Sequence, residues 1–302
     1  MTDIAFSFWN LVPVTLVQGL LYGFIALAVM IPFRLLSFPD LSSEGSFPLG
    51  GCLCAVALLA GWHPLAATVL AVAGGMAAGA ATALIHVRFR INTLLAGILV
   101  MTILYSVNLR VLGKANAALL SNETVLSVIS PALVTGVGYQ ALAFALVVLL
   151  ALAAMLWFLR TESGLSLRAV GANPALVPSL RINPGLWIVA GLALANGWSG
   201  LAGALVVQLQ GFADVQMGFG VLITGLASLI IGETLIGRGT VPRQVAAPVL
   251  GSLVYYQIVS LGLALGLKPA DLKLATGLFV LVTLALPALR AGGASSTEAL
   301  RD

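Results

Sequence analysis

An all-α polytopic membrane protein is the fold class this chain predicts, and three observations predict it. Sixty per cent of its 302 residues are apolar and only 8% are charged, with a mean hydropathy of +1.10, whereas a soluble domain carries about 25% charged residues. Apolar runs recur along the chain at roughly the 20 residues a bilayer demands. The polar stretches between them are short, and the longest, Gly113 to Gly136, holds no soluble domain. Residues 1–302 are therefore expected to form a single transmembrane domain with about 8–9 spans, one of them broken or re-entrant.

In chain order the candidate spans cover roughly 11–33, 46–61, 65–85, 92–112, 138–159, 184–208, 219–236, 244–266 and 271–289. The opening stretch MTDIAFSFWN contains no Lys or Arg, so it lacks the basic region of a cleaved signal peptide and the first span is expected to stay. The second candidate is short and follows FPDLSSEGSFPLGG, in which Pro39 and Pro48 are expected to break the helix. Cys52 and Cys54 have no further ligand-type residues nearby and read as small apolar side chains. Gly19 with Gly23, Gly75 with Gly79, and Gly197, Gly200 and Gly203 have the spacing that lets helices approach closely in lipid.

Basic residues set the orientation. With the N-terminus outside, Arg34, Arg88, Arg90, Arg160, Arg168, Arg181, Arg238, Arg243, Arg290 and Arg301 fall inside, and Arg110, Lys114, Lys268 and Lys273 fall outside. That bias matches the positive-inside rule and predicts a cytoplasmic C-terminus. The basic residues are scattered singly, which gives no nucleic-acid patch.

The stretch SGLSLRAVGANPALVPSLRINPG, Ser163 to Gly185, is too polar to span. Thr161 or Ser163 can cap a short helix over about 164–170, and Gly171 is expected to end it. Asn173 then caps a second short helix with Pro174 at its first position, and Asn183 with Pro184 starts the next span. Leu165, Leu167, Val170, Leu176, Val177 and Leu180 give this insert, about 161–183, an apolar side, while Arg168 and Arg181 give it a charged one. Such an element either docks into a partner's groove or lies idle on the membrane surface.

Polar residues inside lipid are costly and point to function. Asp40 and Glu44, with Ser42 and Ser43 between them, either border a pathway at a broken helix, facing it or bracing it, or sit in headgroup water. Asn196, mid-span, either bonds a neighbouring helix or lines a pore. Gln18, Asn108 and Gln257 read as bridges between helices, Glu233 as interfacial, and Asp214 as a turn residue or a contact for an outer partner.

RAVGANPALVPSLRIN, followed by GLALANGWSGLAGALVVQLQGFADVQMGFG, resembles the permease subunits of bacterial ABC importers. LSFPDLSSEGSFPLGG, INTLLAGILVMTILYSVNLRVLGKAN and KPADLKLATGLFVLVTLALP are similar to the branch that holds branched-chain amino acid, ribose-type sugar and nucleoside permeases. Within it they resemble a single-permease subgroup that includes proposed tryptophan or tyrosine importers. The resemblance runs from about residue 11 to 290. It implies a bacterial inner-membrane protein, two permeases forming the pore, two cytoplasmic ABC ATPase subunits and an extracytoplasmic substrate-binding protein. It also implies that Arg168, Ala169, Gly171, Ala172, Asn173 and Pro174 act as a coupling helix for the ATPases, between spans 5 and 6. The end of the loop, PSLRIN with Pro178 and Arg181, departs from the family's small residue followed by Ile or Val and Asn.

No phosphate-binding G-x-x-x-x-G-K-[ST] occurs, so no cofactor is expected and ATP would be bound by a partner. With a single permease, a twofold homodimer is the simplest assembly. An enzyme is not expected either. GWSG at Gly197–Gly200 matches an intramembrane protease string, but such a serine needs a histidine base, and His63 and His86 both precede it near span ends. The expected function is ATP-driven import of a small organic solute, an amino acid or related compound, with aromatic amino acids among the candidates; the rival is a stand-alone secondary transporter or channel, for which no paired intramembrane charges stand out.

Overall fold

The computed structural model describes residues 2–119, 124–129 and 137–267, together with scattered positions between 271 and 281. Its helices run in the order α1 (Thr2–Met30), α2 (Ser43–Leu59), α3 (Pro64–Phe89), α4 (Thr93–Leu112), α5 (Val125–Ile129), α6 (Val137–Arg160), α7 (Glu162–Ala172), α8 (Pro184–Gln210), α9 (Val221–Ile236) and α10 (Val241–Ala264). Two short strands, β1 (Asn116–Ala118) and β2 (Phe212–Asp214), pair antiparallel.

Among the described residues six helices are long and apolar enough to cross a membrane: Phe8–Leu35, Pro64–Phe89, Thr93–Leu112, Gly138–Arg160, Pro184–Gln210 and Val241–Ala264. The helices α2 and α9 are shorter, at 17 and 16 residues. At 1.5 Å per residue each is only about 25 Å long, short of a hydrocarbon core of about 30 Å. The expected broken element is α2. The stretch read as a full span at 219–236 is a second short helix, which hydropathy alone does not separate from a complete one. The ninth candidate, 271–289, lies largely outside the described residues.

The central element is α1, whose side chains from Phe24 to Met30 are at most 1% exposed. It runs antiparallel to α10: Gly19 meets Leu253, Gly23 meets Val249, and Ser252 Oγ donates to the Gly19 carbonyl at 2.8 Å. The same pairing sets α3 against α8, where Gly75 faces the Asn196 carbonyl and Gly79 the Leu192 carbonyl. A β-carbon at either glycine would run into that carbonyl, so close helix approach accounts for the glycine spacing. By contrast α2 runs parallel to α8, with Ser46 beside Asn196 and Cys54 beside Gln208. Both cysteines are buried and free.

These pairings bring the ends of α1, α3, α6 and α9 to the same end of the bundle as the starts of α8 and α10. There Arg34 reaches Glu233 through Nε at 2.8 Å and Nη2 at 2.7 Å, Arg238 lies 3.7 Å from Glu233, and Phe38 packs edge-on against His86. Arg110, Lys114 and the β1–β2 pair lie at the opposite end.

Candidate functional site at the junction of two short helices

The end of α1 explains where α2 begins. Past Met30 the chain takes one π-helical turn, Ile31–Leu35, with Pro32 inside it. Ser37 then adopts a left-handed conformation, φ 52°, and Pro39 follows. The chain stays non-helical through Leu41 and re-enters a helix at Ser43. Asp40 directs this re-entry: its Oδ1 accepts the Ser42 amide at 2.8 Å, and its Oδ2 accepts from Asn196 Nδ2 at 2.9 Å. Gly97 of α4 lies against this turn, with Leu41 and Asp40 where a β-carbon would need space.

Asn196 is the hub. Its Oδ1 accepts from Ser46 Oγ at 2.6 Å and from Ser42 Oγ at 3.2 Å, while its Nδ2 also donates to the Leu192 carbonyl at 3.1 Å. Ser199 Oγ donates to the Ser43 carbonyl at 3.1 Å. Asp40, Ser42, Ser46, Asn196 and Ser199 are all fully buried, and Ser43 nearly so. Asn196 thus bonds across to α2 and to the turn before it. Ser199 is a packing residue that ties α8 to α2.

Pro48 does not break the helix as expected; it lies inside α2. Proline in a membrane helix is tolerated where neighbours occupy the freed backbone, and here Gly218 packs against both the Pro48 ring and the Glu44 carbonyl. Behind Gly218 the chain turns at Gly220, φ 83°, into α9. The Glu44 carboxylate lies against the backbone amides of Gly220 and Leu222. Those amides are among the donors a helix start leaves without intrahelical partners, and the positive end of the helix favours a carboxylate there. Asp40 therefore serves the start of α2 and Glu44 the start of α9, and the two starts lie side by side.

A cavity of about 600 Å³ opens at this junction. Glu44 and Pro48 of α2, Tyr105 and Asn108 of α4, and Gln216 and Phe219 of the segment before α9 line it. Among the residues expected to border a pathway, Glu44 reaches the cavity, whereas Asp40, Ser42, Ser43 and Asn196 form the buried cluster behind it. The sequence reading missed Met101, Tyr105 and Phe219. The signals were available: Met101, Tyr105 and Asn108 recur at helical spacing on one face of α4, and Phe219 is flanked by two glycines in MGFG.

Asn108 and Gln257 do bridge helices, to the Gly45 carbonyl at 3.2 Å and to Thr15 Oγ1 at 3.2 Å, whereas Gln18 makes no such bond among the described residues. Asp214 is the last residue of β2 and leads into a turn, its Oδ1 accepting the Gln216 amide at 2.7 Å. Glu233 is held by Arg34 and Arg238.

The insert between α6 and α8 starts as expected, with Thr161 Oγ1 accepting the Gly164 amide at 3.4 Å. Gly171 does not end the helix; α7 continues through Ala172. Gly171 serves proximity instead, because a β-carbon there would strike the Leu35 carbonyl, and Ser37 Oγ donates to the Gly171 carbonyl at 3.4 Å. The second helix is one 3-10 turn, Val177–Leu180, that starts later than expected; Asn173 Oδ1 accepts the Leu176 amide ahead of it at 3.2 Å. Asn183 and Pro184 open α8 as expected. Arg168 folds back, its Nη2 donating to the Leu159 carbonyl at 3.2 Å. Ala169 and Gly171 are half-buried, and Ala172, Asn173 and Pro174 form the exposed corner with Leu176 and Leu180.

Residues 13–286 match the family described as branched-chain amino acid transport system, permease component. A tyrosine transport system permease protein of Clostridioides difficile (strain R20291) is 40% identical over 271 residues, covering 89% of this chain and 88% of that protein. An uncharacterized protein of Rickettsia prowazekii (strain Madrid E) is 31% identical over 286 residues, covering 91% of this chain and 97% of the relative. No solved structure matches the chain. A bundle of membrane-length helices, interrupted at two short helices around a cavity, thus coincides with a family match over nearly its whole length: the chain belongs to the branched-chain amino acid transport system permease family and is a transport subunit rather than an enzyme.

Proposed function

We propose that the chain is the membrane subunit of an ATP-driven importer for an aromatic amino acid, tyrosine foremost. The observation that carries this reading is the cavity at the α2–α9 junction, where a carboxylate and an amide share the wall with the rings of Tyr105 and Phe219. The tyrosine transport permease relative, 40% identical, supports the solute class. Two copies enclose the pathway, an extracytoplasmic binding protein delivers the solute at the β1–β2 end, and two ABC ATPases grip the exposed corner at Ala172–Pro174 at the other. Under this reading the N-terminus is outside and the arginine-rich end is cytoplasmic, in a bacterial inner membrane.

Glu44 faces the pathway and the Asp40–Asn196 cluster braces the broken helix behind it. Alternating access follows if the corner moves the junction. Gly171 rests on the main chain at Leu35 and Leu36, only a few residues before Asp40. Arg168, turned onto the end of α6, and Ala169, inside α7, stiffen the corner rather than contact the ATPase.

The test is uptake of labelled tyrosine into proteoliposomes holding the chain, its ATPase and its binding protein. Tyrosine is expected to accumulate only with ATP and all three components, and leucine or ribose is not. ATP-independent tyrosine flux through the chain alone would sink the importer reading and leave a secondary transporter or channel.

A further inference from the structure

The polar groups that reach the cavity are unevenly matched. Asn108 lines it and is fully buried; its Nδ2 donates to the Gly45 carbonyl, while its Oδ1 has no hydrogen-bond partner among the described residues. A buried acceptor without a donor is costly. Glu44 supplies a second acceptor, a carboxylate at the cavity wall. Among the described residues no Lys, Arg or His lines the space to meet either of them. Thr102, Tyr105 and Gln216 also line the space but offer only neutral donors, and the amides facing Glu44 are those of Gly220 and Leu222, which open a helix of 16 residues that no side chain of its own caps. Helix starts of this kind bind carboxylates readily, and Glu44 takes that place.

Resting on the transport function above, we propose that the cavity binds an aromatic amino acid as a zwitterion. Its α-ammonium sits between Glu44 and Asn108 Oδ1, its α-carboxylate on the Gly220 and Leu222 amides, and its ring along Tyr105 and Phe219. The solute's carboxylate replaces Glu44 on the helix start, and the released Glu44 turns to the ammonium. Every charge then has a partner, and the orphaned amide oxygen gains one. Tyr105 and Phe219 are 49% and 76% exposed, so a ring laid on them covers apolar surface. An acid that lacks the ammonium brings a second carboxylate beside Glu44 with nothing to offset it. An amine that lacks the carboxylate leaves Glu44 drawn to both the amides and the ligand. The chemistry of both ends of the solute is thus read by one junction.

The experiment measures binding to the permease–ATPase complex in lipid nanodiscs without the binding protein, by competition against labelled tyrosine. The probes are tyrosine, tyramine and 3-(4-hydroxyphenyl)propanoate. Wild type is expected to rank tyrosine first, tyramine about tenfold weaker and the propanoate weakest. In Glu44→Gln, tyrosine is expected to weaken by about tenfold or more, and the penalty against the propanoate to vanish. Glu44→Asp keeps the charge and is expected to keep the ranking. The proposal is overturned if the propanoate competes as well as tyrosine in wild type, if Glu44→Gln leaves the ranking unchanged, or if a complex that drives ATP-dependent tyrosine uptake binds none of the probes. The wild-type ranking decides the matter should Glu44→Gln fail to assemble. Because uptake is scored separately, loss of this site leaves the importer reading standing.

Discussion

The α3–α8 pair and the α2–α9 junction are held by different balances of main-chain and side-chain contact. Along α3 and α8 the contact is largely main chain on main chain: Gly75, Gly79 and Gly200 each leave room for a facing carbonyl, alongside side-chain contacts such as Met76 on Gly197 and the 2.9 Å hydrogen bond from Gln208 Nε2 to Thr68 Oγ1. At the junction the contact runs through polar side chains, Asp40, Glu44 and Asn196, each holding a helix start or a serine. Contact without intervening side chains has one low-energy arrangement, because backbones cannot repack. Side-chain hydrogen bonds can exchange partners at modest net cost. The glycine pair is therefore the rigid wall of the molecule, and the junction is the part built to rearrange.

Four substitutions break or sharpen this contrast. The largest loss is expected for Gly79→Leu, whose new side chain would run into the Leu192 carbonyl and Asn196 Cβ. Overpacking costs about 1–3 kcal/mol or more, and here backbone must move, so thermal unfolding in detergent is expected to show the bundle lost or heavily destabilised. An unchanged Tm would end the rigid-wall idea. Asn196→Leu is next, because it strips Asp40 Oδ2, Ser42 and Ser46 of a shared partner. Leaving such groups unsatisfied costs about 1–3 kcal/mol, more for a charged one. A double-mutant cycle with Ser46→Ala is expected to show coupling of about 1 kcal/mol, and strict additivity would mean the cluster does not act as a unit.

Ser199→Ala removes one bond to the Ser43 carbonyl and is expected to cost about 1 kcal/mol. It should leave uptake intact, and lost uptake with unchanged stability would give Ser199 a role beyond packing. Gly171→Val is expected to change bundle stability least, since α7 packs at one end only. It should instead separate ATP hydrolysis from uptake, because the side chain would lift α7 off Leu35. Wild-type solute stimulation of hydrolysis in this variant would remove the coupling role.

Hydropathy made the six long helices legible, since bilayer thickness imposes their length directly. It also marked α2 as broken, because Pro39 and two carboxylates interrupt an otherwise apolar stretch. It did not mark α9, whose apolar residues read as a full span. What shortens α9 is a turn at Gly220 that brings its start to Glu44, a contact across most of the chain. Asp40 and Asn196 are likewise 156 residues apart. No local pattern encodes that distance, so each residue was visible as an unusual polar group and neither as the other's partner. Gly171 was misread for the same reason. Its local context is a helix end, and its actual constraint is the Leu35 carbonyl on another helix.

The abutment of Gly171 on Leu35 has a mechanical consequence. A side chain between two elements works as a spring, because it can change rotamer and absorb displacement. Here peptide bears on peptide, so a thrust delivered to the outer elbow has no give on its way into the kinked segment ahead of α2. A residue without a side chain thus makes a stiff joint at Gly171.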